Sequence, residues 1–327
     1  MTETTLIAAQ SKPRVLERAP LLIFCVLALA PVAAAFGPET YLLGLFTRVM
    51  VFATAALALD FICGYGGLVS FGHAAFVGIG AYAVGILSAH GVTDILISLP
   101  VALAASAVFA YLTGTVCLRT RSVYFIMITL AFGQMVYFVA GSLAPYGGDD
   151  GMTLQVRSTL LGFQPFKNDR VFYYAVFGFL LAAYLACRAI VASRFGRVFR
   201  GAKENPVRMA TIGYDVFKYQ RIAYVIAGMI GGLSGFLLAN VVEFVSPAYM
   251  SWQRSGELII MVLFGGIGTL YGAIVGAAAF LLLEDVLGSI TENWKLIFGP
   301  MLVLIVLFAR GGIVGLFERL LKGSGRG

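Results

Sequence analysis

Arg194-Phe-Gly-Arg-Val-Phe-Arg-Gly-Ala-Lys-Glu-Asn-Pro-Val-Arg-Met-Ala-Thr-Ile-Gly-Tyr214 is the longest polar run between two strongly apolar regions of the chain. From Ala192 to Arg221 seven Lys and Arg residues face only two acids, Glu204 and Asp215. Such a basic excess beside membrane-spanning segments marks a cytoplasmic loop. The run also carries helix punctuation. Asn205 is a capping residue, Pro206 suits a first helical position, and Gly213 suits a left-handed helix end. Gly201 interrupts the first half. The spacing therefore predicts two short helices meeting near Glu204 and Asn205, with Val207, Ala210 and Tyr214 on one face. A basic, partly apolar hairpin at a membrane surface needs a partner, either lipid headgroups or another protein.

The rest of the chain explains why that loop stands out. Of 327 residues, 60% are hydrophobic and 12% charged, where a soluble domain carries about a quarter charged. With mean hydropathy at +0.92, the chain reads as an all-α integral membrane protein. Its 39 Gly fit close helix packing in lipid. The net charge of +7 is concentrated in a few loops, which favours positive loops between spans over a nucleic-acid surface. Cys25, Cys63, Cys117 and Cys187 lie in or beside apolar runs, without the spacing of a disulfide framework or metal site.

In chain order, residues 1–19 are polar, and Leu21–Phe36 is the first apolar run. Ala33-Ala34-Ala35 resembles a cleavage site, but Glu17 and the long polar lead favour a retained span. Tyr41–Ile62 is the second span and holds Arg48 and Asp60. Intramembrane charges are functional or paired, unless Arg48 snorkels and Asp60 lies near the boundary. Residues 64–82 are apolar yet dense in Gly. Two readings stand here: irregular backbone lining a transport path, or tight helix packing through small residues. His73 reads as an interior hydrogen-bonding residue. Leu96–Cys117, Val123–Leu143, Val171–Ile190 and Tyr219–Val241 are further spans. The Asp149-Asp150 pair among glycines reads as a turn. Gly256–Leu283 is too long for one span and short for two, so it reads as a hairpin of Glu257–Gly265 and Ala273–Leu283. Glu284–Lys295 reads as an external loop and Leu296–Phe308 as the last span. The expectation is about eight full transmembrane helices plus a short Gly-rich helical hairpin, with both termini cytoplasmic.

Four blocks then carry a resemblance. Gly64-Tyr-Gly-Gly-Leu-Val-Ser-Phe-Gly-His-Ala-Ala-Phe76 with Gly80-Ala-Tyr82, the 203–213 stretch, Gly265-Gly-Ile-Gly-Thr-Leu-Tyr-Gly272, and Gly299-Pro300 through Gly311-Gly312 stand in the order found in branched-chain amino acid ABC transporter permeases of the LivM type. The chain resembles that family from Tyr41 to Leu316. It departs at Asp60, where an uncharged amide is usual, and at Tyr146, where a Thr is usual.

The resemblance implies a permease domain over 20–316, a cytoplasmic segment 1–19, a tail 317–327 and an ATPase-docking loop over 192–218. In that loop it implies docking roles for Lys203, Glu204, Asn205, Arg208, Met209, Ala210 and Gly213. Gly66, Gly67, Ser70, Gly72, His73 and Asp60 are the candidates for the translocation path. It further implies a second permease of the LivH type, two cytoplasmic ATPases, a periplasmic binding protein, and a multi-pass position in a bacterial inner membrane. The cargo is branched-chain or similar amino acids; the related urea and short-amide permeases share much of the pattern. The chain has no GxxxxGK[ST] phosphate loop, so ATP belongs to its partners and no cofactor or metal is expected here. An ion-coupled carrier would use Asp60, Arg48 and Glu243 as titratable groups, but has less use for the basic hairpin. An intramembrane enzyme lacks HExxH, GxSxG and more than two His.

Overall fold

A computed structural model describes residues 14–34, 39–120, 122–154, 156–290, 293, 296, 298–300, 303 and 311–316. Their order is α1 (Arg14–Ala34), α2 (Glu39–Gly66), α3 (His73–Ala89), α4 (Ile95–Cys117), α5 (Val123–Ser142), β1 (Met152–Thr153), α6 (Asp169–Ala192), α7 (Arg194–Glu204), α8 (Pro206–Thr211), α9 (Val216–Val242), β2 (Phe244–Val245), α10 (Trp252–Gly265) and α11 (Tyr271–Ile290). Among the described residues six helices are long and apolar enough to cross a membrane: α2, α4, α5, α6, α9 and α11. Ala19–Val32 and α3 are shorter apolar helices. The chain is thus an all-α integral membrane protein in its architecture. Residues 1–13 and 317–327, and most of the span expected over 296–308, lie outside the described residues.

α2 and α9 form the centre. Their apolar windows are 72% and 67% buried, against 22–28% for α4, α5 and α6. The reason is visible in the sequence. Gly228, Gly231, Gly232 and Gly235 on α9 leave room for α3 and α4: a Cβ on Gly228 would meet Ala110 at 2.6 Å, and one on Gly231 would meet Phe76 at 2.9 Å. Small residues let the backbones approach, so dispersion contacts replace the missing hydrophobic drive within lipid. Ser234 adds an interior hydrogen bond, donating to the Val51 carbonyl at 2.8 Å.

Two shorter helices, α3 of 17 residues and α10 of 14, begin in the interior of the bundle. His73, at the start of α3, packs beside Gly231 near the middle of α9. Residues 67–72 therefore return from the end of α2 into the interior as non-helical chain, long enough for about 20 Å when extended. Such backbone survives at that depth because protein surrounds it. The Phe71 N–H donates to Thr129 Oγ1 at 3.2 Å, and the Ala74 N–H donates to Ser255 Oγ at 3.1 Å. That second bond also places the first turn of α10 beside the first turn of α3. From there the two helices run apart: Gly85 of α3 meets Met152 and Val245 at one end, while the turn after α10 meets Asp60 and Gly64 towards the other.

The expected hairpin is present, with a correction. α10 has 14 residues, but α11 has 20 and runs on through Glu284 and Asp285 to Ile290. Those acids read as a loop from composition. They belong to the helix because the Tyr41 hydroxyl donates to both Asp285 carboxylate oxygens, at 2.7 and 2.6 Å. α1 likewise starts at Arg14, ahead of the apolar run.

At the end opposite α7 and α8, residues 152–154 and 156–163 form a strap. β1 pairs antiparallel with β2, Met152 facing Val245. The Leu154 N–H donates to the Glu243 carbonyl at 2.8 Å and the Thr159 N–H to the Thr93 carbonyl at 2.8 Å. The Ser158 N–H donates to Asn240 Oδ1 at 2.7 Å. Arg157 bonds Asp169 and Glu243, each at 2.7 Å, and its guanidinium lies 5.0 Å from the Phe172 ring centre.

Candidate functional site

The hairpin forms as its punctuation dictates. Ser193 caps α7, accepting from the Gly196 N–H at 3.4 Å. Asn205 caps α8, accepting from the Arg208 N–H at 2.9 Å, and Pro206 opens that helix. Gly213 closes it at φ +98°, the left-handed region that glycine enters without strain. A Cβ on Gly201 would meet the Met209 sulfur at 2.7 Å, so these two residues bring the helices against each other.

One face of α7 is buried, through Gly196, Val198, Phe199 and Ala202. Phe199 packs with Phe61 at 5.8 Å between ring centres and fills the space beside Gly66. Lys203 extends its amine to the Gly64 carbonyl at 2.7 Å. This satisfies a carbonyl in the last turn of α2 and places a cation at the negative end of that helix. α8 has no buried residue. Val207 is 67% exposed and Ile212 62%, and Glu204, Arg208, Ala210 and Gly213 are exposed around them. Of the docking candidates, Met209 and Lys203 thus hold the hairpin together and to α2. Asn205 shapes the turn, and the rest form the outward surface.

The path candidates lie beneath. Asp60 is fully buried. Its carboxylate accepts from the Gly268 N–H at 2.6 Å and the Leu270 N–H at 2.9 Å. It therefore fastens the turn between α10 and α11, where Gly266 and Gly268 have φ of +114° and +79°. Charge-assisted bonds of this kind are worth about 1.5–3 kcal/mol each. Gly64 must be glycine here, since a Cβ would stand 2.5 Å from the Gly268 Cα. Ser70 and His73 are buried. Among the described residues neither His73 ring nitrogen has a hydrogen-bond partner, and the ring packs on Phe76 at 5.4 Å, so the interior hydrogen bond expected for it is not found among them. Gly72 takes the close approach of the Thr129 carbonyl. Gly66 and Gly67, with Leu68, Arg119, Lys203 and Val207, border a cavity of about 550 Å³ beneath the hairpin. The path candidates therefore fall into two places, an interior cluster around His73 and a polar knot at the end of α2.

Sequence reasoning missed Arg157, the hub of the strap, and the bond from Tyr41 to Asp285. Both join residues far apart in the chain. Among the described residues no group of three His, Cys, Asp or Glu side chains gathers as a metal site.

The family described as branched-chain amino acid transport system / permease component matches residues 41–307. The high-affinity branched-chain amino acid transport system permease proteins LivM of Salmonella typhimurium and Escherichia coli are each 24% identical over 299 residues, covering 84% of this chain and 70% of theirs. The nucleoside ABC transporter permease protein NupC of Lactococcus lactis is 30% identical over 105 residues, covering 27% of this chain and 33% of its own. No solved structure matches the chain.

Proposed function

From one premise, that the chain belongs to the family of branched-chain amino acid transport system permease components, we propose how it works as the permease subunit of an ABC importer. It is a multi-pass membrane protein and a transport subunit, not an enzyme. Its cargo is a branched-chain or similar amino acid, delivered by a periplasmic binding protein. A second permease of the LivH type completes the path, and two cytoplasmic ATPases hydrolyse ATP below it. The membrane is the bacterial inner membrane, with α7 and α8 in the cytoplasm and the strap outside.

The observation that carries the reading is the hairpin itself. A short helix without a buried residue, which turns Val207 outward with Ile212 just beyond its end, is held on α7, whose other face is buried, a shape that fits a groove on a soluble protein. Its anchor is the last turn of α2, through Lys203 and Phe199. One turn earlier on α2, Asp60 holds the α10–α11 turn. ATPase closure then moves hairpin, helix end and re-entrant turn as one body, and the path switches between two discrete states.

The test is reconstitution. With both ATPases, the second permease and the binding protein, proteoliposomes accumulate labelled leucine only when ATP is present. Concentrative uptake by this chain without an ATPase sinks the reading. Uptake driven by a proton or sodium gradient supports the ion-coupled alternative, and uptake of urea but not leucine supports the amide alternative.

A further inference from the structure

On α2, Tyr41, Gly44, Leu45 and Arg48 recur at helical spacing and share one outward stripe. With α11, which contributes Glu284 and Asp285, this stripe walls a groove of about 330 Å³. Arg48 lies nine residues into α2, about 13 Å along its axis. Its guanidinium stands 5.9 Å from the Phe52 ring centre. Arg254, in the first turn of α10, reaches the same ring at 6.0 Å. Arg254 also pairs with Glu257 at 2.6 Å, whereas no acid among the described residues is within ion-pair distance of Arg48.

The rest of the surface sets the contrast. α4 and α5 contain no charged residue and turn Val108, Leu112, Met127, Met135 and Phe138 outward. Those faces suit lipid. A half-buried guanidinium inside a span suits a water-filled path instead. The groove carries both signs: Arg48 stands on one wall, and the Glu284 and Asp285 carboxylates stand on the facing helix.

We propose that the groove between α2 and α11 is a way station on the transport path that holds the cargo as a zwitterion. Arg48 takes the carboxylate, and Asp285 takes the ammonium group. The assignment rests on the amino-acid importer reading and deepens it, since urea offers neither charge. The phosphate and ammonium of a lipid headgroup share this chemistry, so the experiment separates the two sources.

The complete transporter carrying Leu45→Cys is treated with a membrane-impermeant thiosulfonate, with the wild-type chain and its exposed Cys25 as background. Residue 45 is modified from water, and leucine slows the reaction at least fivefold. In the Leu45→Cys, Arg48→Gln double variant that protection is lost. Labelled leucine uptake falls at least tenfold in Arg48→Gln and recovers to at least a third of wild type in Arg48→Lys. A residue 45 closed to water overturns the proposal. So does protection that follows phosphatidylethanolamine content and ignores leucine, or uptake within twofold of wild type in Arg48→Gln. If Arg48→Gln is absent from the membrane, leucine protection of Leu45→Cys alone decides. A wild-type transporter that takes up no α-amino acid overturns the importer reading itself, and this assignment with it.

Discussion

The Lys203 amine donates to the Gly64 carbonyl across 2.7 Å, joining the cytoplasmic hairpin to the last turn of a central span. Replacing Lys203 by Met keeps the aliphatic stem over Gly67 and removes only the donor. The expected outcome is normal membrane abundance with ATP hydrolysis no longer stimulated by cargo, and uptake down several-fold. Parallel ATPase and uptake assays check it; full coupling in the variant means the link is ornamental to transport.

Glu204 is exposed beside the apex of the hairpin. Glu204→Lys is expected to abolish co-purification with the ATPases while leaving the chain in the membrane. Unchanged uptake removes the docking assignment.

Asp60 satisfies two N–H groups of the α10–α11 turn. Asp60→Ala orphans both in a dry interior, at about 1–3 kcal/mol for each. Asp60→Asn retains one acceptor and is the milder change. Thermal unfolding in detergent should rank wild type, Asn and Ala in that order, and an Ala variant as stable as wild type contradicts the assigned role.

Gly64→Ala drives a methyl group into the Gly268 Cα at 2.5 Å. Overpacking of this kind costs about 1–3 kcal/mol. Gly178 on α6 has open space where its Cβ would be, so Gly178→Ala is expected to raise stability slightly through helix propensity. The opposite signs, read from paired melting curves, test the close contact itself.

Arg157 ties the strap to α6 and α9 by two half-exposed ion pairs. Arg157→Ala should cost about 1 kcal/mol at such exposure and lower amide-exchange protection at Leu154, Ser158 and Thr159. High salt should produce part of the same loss in the wild-type chain.

Local signals were read well from the chain, and distant ones were not. Asn205, Pro206 and Gly213 each act on their own backbone, so the hairpin was visible in one stretch. Glycine density marked residues 64–72 as unusual, but their depth depends on Gly231 and Thr129, far along the chain. The acids Glu284 and Asp285 looked like a loop because composition cannot register a tyrosine at position 41 that anchors one of them. The strap's pairing of Met152 with Val245 spans α6, the hairpin and α9 in sequence.

The turn of α2 from Asp60 to Gly64 answers to two neighbours at once, the re-entrant turn on one side and Lys203 on the other. Grafting has to respect that. A chimera built to recruit a foreign motor must move residues 60–67, 194–213 and 264–272 as a set. Exchanging the cytoplasmic piece alone would leave a subunit that binds its new engine and transmits nothing.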